Sequence, residues 1–459
     1  MVDPPPTIRA VHQGHAPNCS SAGSVVGAVL VSAVASAALL NLWAGWLLAR
    51  LSPRSPEGPD GPDGPDGPDG PRLRREADHS IVHDPASGTR LHIETSLADA
   101  LHDGGMPSVG GQHAPDGALS APTEVHLAVT ERCPARCTTC YLNAGPERQL
   151  PEPDAGVLIQ QLDDAADMGV FEVAFGGGEA LSRPDLLRLL AHARSRGLVP
   201  NVTTSGFGLT PALARSLKPL VGQINVSIDG LGDVYTRVRG WDGADLGLRA
   251  LGILRDAGVP AGVNTVLSRP LLGSDDALSE LGQAIVAAGA TEWQWLRLKP
   301  VGRGGGAYGM LRPTTAQTTA LWPRALSLER ELGLGLRFDC ALVPFLVQHN
   351  IPVPTLARLG IRGCPGGHSL WARHADGGQS PCSFVPSSSG GDVPLAMAWQ
   401  HDTVAQAWRA RSAAPPAPCN TCDARDVCRG GCRAVSAFST GDPLAPDPEC
   451  PRVQAWAAR

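Results

Sequence analysis

Lysine is nearly missing from this chain: Lys218 and Lys299 are the only two among 38 basic residues, and all the others are arginine. With abundant Ala, Gly and Pro, that bias reads as the codon usage of a GC-rich genome. A basic excess is missing as well. The formal net charge is −6 over 459 residues, which leaves no electrostatic footprint for nucleic acid, so no nucleic-acid partner is expected.

Charge of either sign is absent between Arg9 and Arg50. Behind a polar tail (1–21), residues 22–49 are mostly Ala, Val, Leu, Gly and Ser, and outrun the roughly 20 residues that span a bilayer. Trp43 and Trp46 stand near the far end, as interfacial aromatics do. Arg50, Arg54, Arg72, Arg74 and Arg75 outnumber Arg9, which predicts a membrane anchor oriented N-out, C-in, with the catalytic domains in the cytoplasm. The Pro-rich, acidic start does not fit a cleaved signal peptide. The competing expectation is an Ala/Gly-rich segment that never inserts and lies upstream of the true start, with Met106 as an alternative start.

Residues 50–122 read as a disordered linker. The repeat GPDGPDGPDGPDGP (58–71) is an extended, solvated spacer, and it is far too short for a collagen triple helix. Beyond it the chain stays polar and Gly/Pro-rich, with one strand-and-helix unit expected around Thr89–Leu101.

A fourth cysteine is missing from RCPARCTTCY (132–141). Cys133, Cys137 and Cys140 are too few to close a tetrahedral zinc site and too many for a redox pair. Eleven of the 12 cysteines fall from Cys133 onward. Clustered in an α/β chain, they point to metal ligation in a reducing compartment rather than to structural disulfides.

From Glu124 the texture alternates. Strand-like runs occupy 124–131, 171–177, 200–206, 223–230, 261–268 and 292–300, with helical patterns between them such as Leu158–Met168, Pro184–Ser195 and Leu246–Ala257. Such βα succession predicts a parallel sheet curling towards a barrel, with its chemistry at the C-terminal strand ends. The cysteine triplet follows the first strand and so belongs at that rim. After Cys340 the periodicity fades, which marks a separate metal-supported region.

The C-x3-C-x2-C triplet resembles the signature of the radical SAM superfamily. That resemblance implies a [4Fe–4S] cluster held by Cys133, Cys137 and Cys140, its free iron chelating S-adenosylmethionine, which is cleaved to a 5′-deoxyadenosyl radical. Its companions carry over by position. Gly177, Gly178 and Glu179 of FGGGEA take the methionine amino group, Ser205 of TTSG the ribose, and Ser227 and Asp229 of VSIDG end the fourth strand. Arg239 takes the methionine carboxylate. Thr139 replaces the family's aromatic residue before the third cysteine, and Ala180 its proline after GGGE; neither change removes a ligand. A CxxC redox pair or a partial zinc site is the plainer reading of the triplet alone.

The C-terminal cysteines resemble the SPASM domain. The resemblance implies a first auxiliary [4Fe–4S] cluster on Cys364, Cys382 and Cys432, and a second on Cys419, Cys422, Cys428 and Cys450. Cys340 is either the fourth ligand of the first cluster or an inert thiol, and a zinc ribbon is the competing reading of CNTC…CRGGC. The expected architecture is therefore α/β: a partial (β/α)6 TIM-like barrel (123–335) followed by a cysteine-rich SPASM domain (336–459).

The implied activity is hydrogen abstraction from a substrate, expected to be a ribosomally made peptide that is cross-linked or oxidised. A low-potential flavodoxin- or ferredoxin-type electron donor is implied. Residues 73–122 look too short and polar for a leader-binding module, so leader recognition is expected from a separate protein or not at all. Sulfatase maturation is disfavoured, because Ser383 rather than an aspartate follows Cys382. Oxidation of a tetrapyrrole, quinone-type or other small-molecule precursor is the alternative. A membrane-tethered iron–sulfur carrier is the non-catalytic one.

Overall fold

The computed structural model describes residues 9–11, 70–86, 88–111, 114–115, 118–147 and 152–459. The expected membrane span at 22–49 and most of the GPD repeat lie outside them. Among the described residues no helix is long and apolar enough to cross a membrane. The chain divides into two compact units, Met1–Gln112 and His113–Arg459.

The first unit corrects the expectation of a linker over 50–122 within its described part, residues 70–111. Strands β1 (Arg9–Val11), β2 (Arg72–Arg75), β3 (Ser80–Asp84) and β4 (Thr89–Ile93) form an antiparallel sheet in the order β1-β4-β3-β2. A helix, Thr95–Asp103, follows. Leu73, Val82, Leu91 and Ile93 pack on Ala98 and Met106. The strand-and-helix expectation at Thr89–Leu101 therefore covers only part of this unit. The strands were hidden because their apolar residues alternate with Arg and His, and one of these, Arg74, is itself buried against Glu76 at 2.7 Å.

In the second unit all six expected strands form: β5 (Glu124–Thr130), β6 (Glu172–Gly177), β7 (Val199–Thr204), β8 (Gln223–Ser227), β9 (Ala261–Leu267) and β10 (Glu292–Arg297). They pair in parallel and in sequence order. The helices expected between them are Ala155–Asp167, Leu186–Ser195 and Ala244–Ala257. Three more strands extend the sheet to nine: β11 (Gly335–Phe338), β12 (Leu370–Arg373) and β13 (Gln379–Ser380). Parallel pairing of β12 with β5 joins the cysteine-rich region to the barrel sheet, so that region is not a detached domain.

Strand alternation sorts the side chains by face. Val125, Leu127, Val173, Phe175, Val202, Ile224, Val226, Val263, Trp293 and Trp295 are buried in the core. The opposite face carries His126, Asn201, Asn225, Asn264 and Gln294, all half-buried. One face of the partial barrel is thus oily and sealed, and the other polar and hydrogen-bonded. Asn201 donates to Glu172 at 3.0 Å, and Gln223 to Asn225 at 2.8 Å.

Candidate active site

The cysteine triplet leaves the end of β5 as a loop tied down from three sides. Cys133 N–H donates to Gly145 O at 3.0 Å, and Thr138 N–H to Arg239 O at 3.0 Å. The helix Arg303–Leu311 closes the third side. Arg303 donates through Nε to Cys137 O at 2.8 Å and through Nη2 to Ala144 O at 2.7 Å. Gly302 enters that helix at φ +57°, where a Cβ would lie 2.5 Å from Tyr141 O and 2.6 Å from Cys140 O. Only glycine lets the two backbones meet there.

The Arg303→Ala variant loses two charge-assisted bonds worth about 1.5–3 kcal/mol each. Its expected outcome is faster bleaching of the triplet's cluster in air, with the other cysteine sites unaffected, read by iron analysis over time.

The FGGGEA run lies against the same loop. Gly178 N–H donates to Thr130 O at 2.7 Å and Glu179 N–H to Arg132 O at 2.8 Å, while a Cβ at Gly178 would sit 2.2 Å from Arg132 O. Glu179 is fully buried. Its carboxylate accepts from Thr204 Oγ1 at 2.6 Å, Ser205 N at 2.9 Å and Leu181 N at 3.2 Å. Burial raises its pKa against the pull of these donors. Glu179 therefore ties the end of β6 to the end of β7 and fixes Ser205.

Asp229 and Arg239 complete the rim. Asp229 is fully buried and accepts from Val266 N at 2.7 Å and from Arg239 Nε at 2.6 Å. Arg239 Nη1 reaches Cys137 Sγ at 3.6 Å. Burial opposes its charge, but Asp229 and Cys137 outweigh it and the pKa rises. Ser205 and Ser227 are half-buried at the ends of β7 and β8. The structure thus gathers the expected residues at the C-terminal ends of four consecutive strands.

The remaining cysteines form two sets. Cys340 and Cys382 each feel the charge of Cys364 and Cys432, which puts all four in one neighbourhood. Lys299, buried beside them, pairs with Asp339 and lies 4.4 Å from the Phe384 ring. Phe384 packs on Tyr141 with the rings tilted by 49° and their centroids 4.7 Å apart, which connects this set to the triplet's loop. Cys419, Cys422, Cys428 and Cys450 line a cavity of about 330 Å³.

All eleven described cysteines are free thiols, and burial pushes Cys133 up to about 11. No three His, Cys, Asp or Glu side chains among the described residues are spaced for a single metal ion. Cluster thiolates bind different irons, and the all-cysteine donor sets have the chemistry of [4Fe–4S] ligands.

The comparisons agree with this geometry. Residues 127–278 match the family model described as Radical SAM superfamily. The PqqA peptide cyclase of Ruegeria pomeroyi is 30% identical over 358 residues, 76% of this chain and 91% of that protein. The chain belongs to the radical SAM superfamily. Mycofactocin maturase MftC of Mycolicibacterium smegmatis is 29% identical over 352 residues, covering 74% of this chain and 85% of that protein. Among solved structures, Streptococcus suis SuiB bound to S-adenosylmethionine aligns with a TM-score of 0.64 at 15% identity, covering 83% of this chain and 98% of that one. The two chains share a fold. The cofactors of this enzyme are S-adenosylmethionine and [4Fe–4S].

Sequence reasoning missed Trp241, Arg303 and Asp447. Lys299 left no signal of its own, since Lys218 stands in the same Leu-Lys-Pro context and the scarcity of lysine reads as codon usage. Glu179 and Arg239 were expected to face methionine, and the structure shows the protein partners that orient them.

Proposed function

We propose that this radical SAM enzyme matures a ribosomally made peptide by cross-linking or oxidising it. The observation that carries the reading is the cysteine loop packed on GGGE beside two further cysteine sets, in a chain whose relatives are named a PqqA peptide cyclase and a mycofactocin maturase. Cys133, Cys137 and Cys140 hold the reactive cluster. Gly177 and Gly178 bring backbone to S-adenosylmethionine, Glu179 fixes Ser205 for the ribose, and Ser227, Asp229 and Arg239 close the far side.

When bound, the cluster supplies the electron that cleaves S-adenosylmethionine to the hydrogen-abstracting radical. The protein's part is to orient the cofactor and exclude water around it. The polar barrel face bearing His126, Asn201, Asn225 and Gln294 supports a lumen for a peptide with polar side chains. Cys340 is the fourth ligand of the first auxiliary site, with Cys364, Cys382 and Cys432. Cys419, Cys422, Cys428 and Cys450 hold the second.

The same reading takes electrons from a flavodoxin- or ferredoxin-type donor and leader recognition from a separate protein. It also keeps the uncharged 22–49 segment as a tether. Anaerobic reconstitution followed by S-adenosylmethionine and dithionite should yield 5′-deoxyadenosine, and a peptide encoded beside the gene should change mass. No 5′-deoxyadenosine from a fully loaded chain would falsify the radical reading, whereas an unmodified peptide with 5′-deoxyadenosine present would defeat only the substrate.

A further inference from the structure

Cys137 receives more than its neighbours in the triplet. Besides Arg239, the indole Nε1–H of Trp241 donates to Cys137 Sγ at 3.1 Å. Trp241 packs on the apolar cluster that contains Cys133, Cys137 and Ala144, together with Phe207. Its ring meets Phe207 at 5.2 Å and the edge of Tyr235 at 5.5 Å. An aromatic wall therefore stands beside the thiols, and its one polar hydrogen points at a sulfur.

The local sequence, RGWDG (239–243), is arranged for this. The helix Gly232–Arg239 ends at Gly240, φ +80°, where a Cβ would fall 2.7 Å from Thr138 Oγ1 in the cysteine loop. The indole then folds back over Gly243, where a Cβ would be 2.0 Å from the ring. One glycine brings the segment against the loop, and the other makes room for the ring. Neither is explained by binding S-adenosylmethionine.

We propose that Trp241 is a positioning residue for the reactive cluster, one that raises the cluster's reduction potential and shields it. A donor to a ligand sulfur draws electron density off the thiolate and favours the reduced, more negative cluster. The Arg239 guanidinium acts on the same sulfur in the same sense. The dependence on one ligand makes the effect asymmetric: of the three thiols, Cys137 is the one these two donors reach. This inference rests on the triplet holding the cluster. Loss of that cluster in triplet variants tests the former reading, and the potential tests this one.

The experiment uses the full chain, anaerobically reconstituted, in a redox titration followed by electron paramagnetic resonance. The signal that changes on adding S-adenosylmethionine separates the reactive cluster from the others. Trp241→Phe keeps the ring and removes the donor. Its midpoint should move negative, with about tenfold fewer reduced clusters at a fixed poise, ~59 mV for a one-electron couple.

Gly243→Ala displaces the ring without touching a ligand. It should shift the midpoint the same way and also bleach faster in air. Iron content should stay at the parent level in both. An unchanged midpoint in fully loaded Trp241→Phe overturns the proposal. If that variant cannot be loaded, the midpoint of Gly243→Ala decides alone.

Discussion

Replacing any one of Cys133, Cys137 and Cys140 with alanine should abolish 5′-deoxyadenosine formation and remove about four of about twelve irons per chain. The loss should be confined to one cluster, because the loop's hydrogen bonds do not pass through the other cysteine sets and its link to the first of them is one ring contact, Tyr141 on Phe384. Its ties run to Gly145, to the Arg239 carbonyl and to Arg303. Replacing Cys428 should instead remove the second auxiliary cluster, since that thiol lines the separate 330 Å³ cavity. Cys340→Ala should weaken the first auxiliary cluster while the reactive one survives. Iron analysis with electron paramagnetic resonance reads all three. Full iron in a triplet variant would mean that those thiols are not ligands.

The chemistry of this site was legible because its residues are the ends of strands. Each expected motif is a short run at the close of a β-strand, and the strands themselves alternate in a parallel sheet of ordinary pattern. What could not be read was the support behind the motifs. Trp241 turns towards Cys137 only because Gly243 leaves space for its ring. Arg303 reaches the loop only because Gly302 lets one backbone lie on another. Such contacts depend on three-dimensional approach and leave no period in the sequence.

Strands β11, β12 and β13 were missed for another reason. They are two to four residues long and stand among Gly, Pro and Cys, where alternation is too brief to register. The same holds for β2 and β3, whose alternation is blurred by buried arginine and histidine, whereas β4 was expected.

Arg297→Ala should be the most damaging single change outside the cysteines. Arg297 is 3% exposed at the end of β10, and its fork grips Asp447 at 2.6 and 3.1 Å. It also donates to Ala341 O at 3.0 Å and to Glu449 at 2.9 Å. Asp447, 1% exposed, accepts the backbone N–H of Cys432 at 3.0 Å and lines the cavity of the second auxiliary set. One ion pair therefore holds Cys432, the proposed ligand of the first auxiliary cluster, and a wall of the cavity proposed for the second. Removing the arginine strands a buried carboxylate, and breaking such a pair costs about 3–5 kcal/mol.

The expected readout is a purified chain whose iron falls from about twelve towards about four, the triplet's share. Arg297→Lys keeps the charge but not the two-pronged grip, so it should retain an intermediate iron content. Asp447→Asn leaves a neutral acceptor and should fall between the two. If Arg297→Ala keeps all its iron and its melting temperature, the pair is not what joins the auxiliary sites to the barrel.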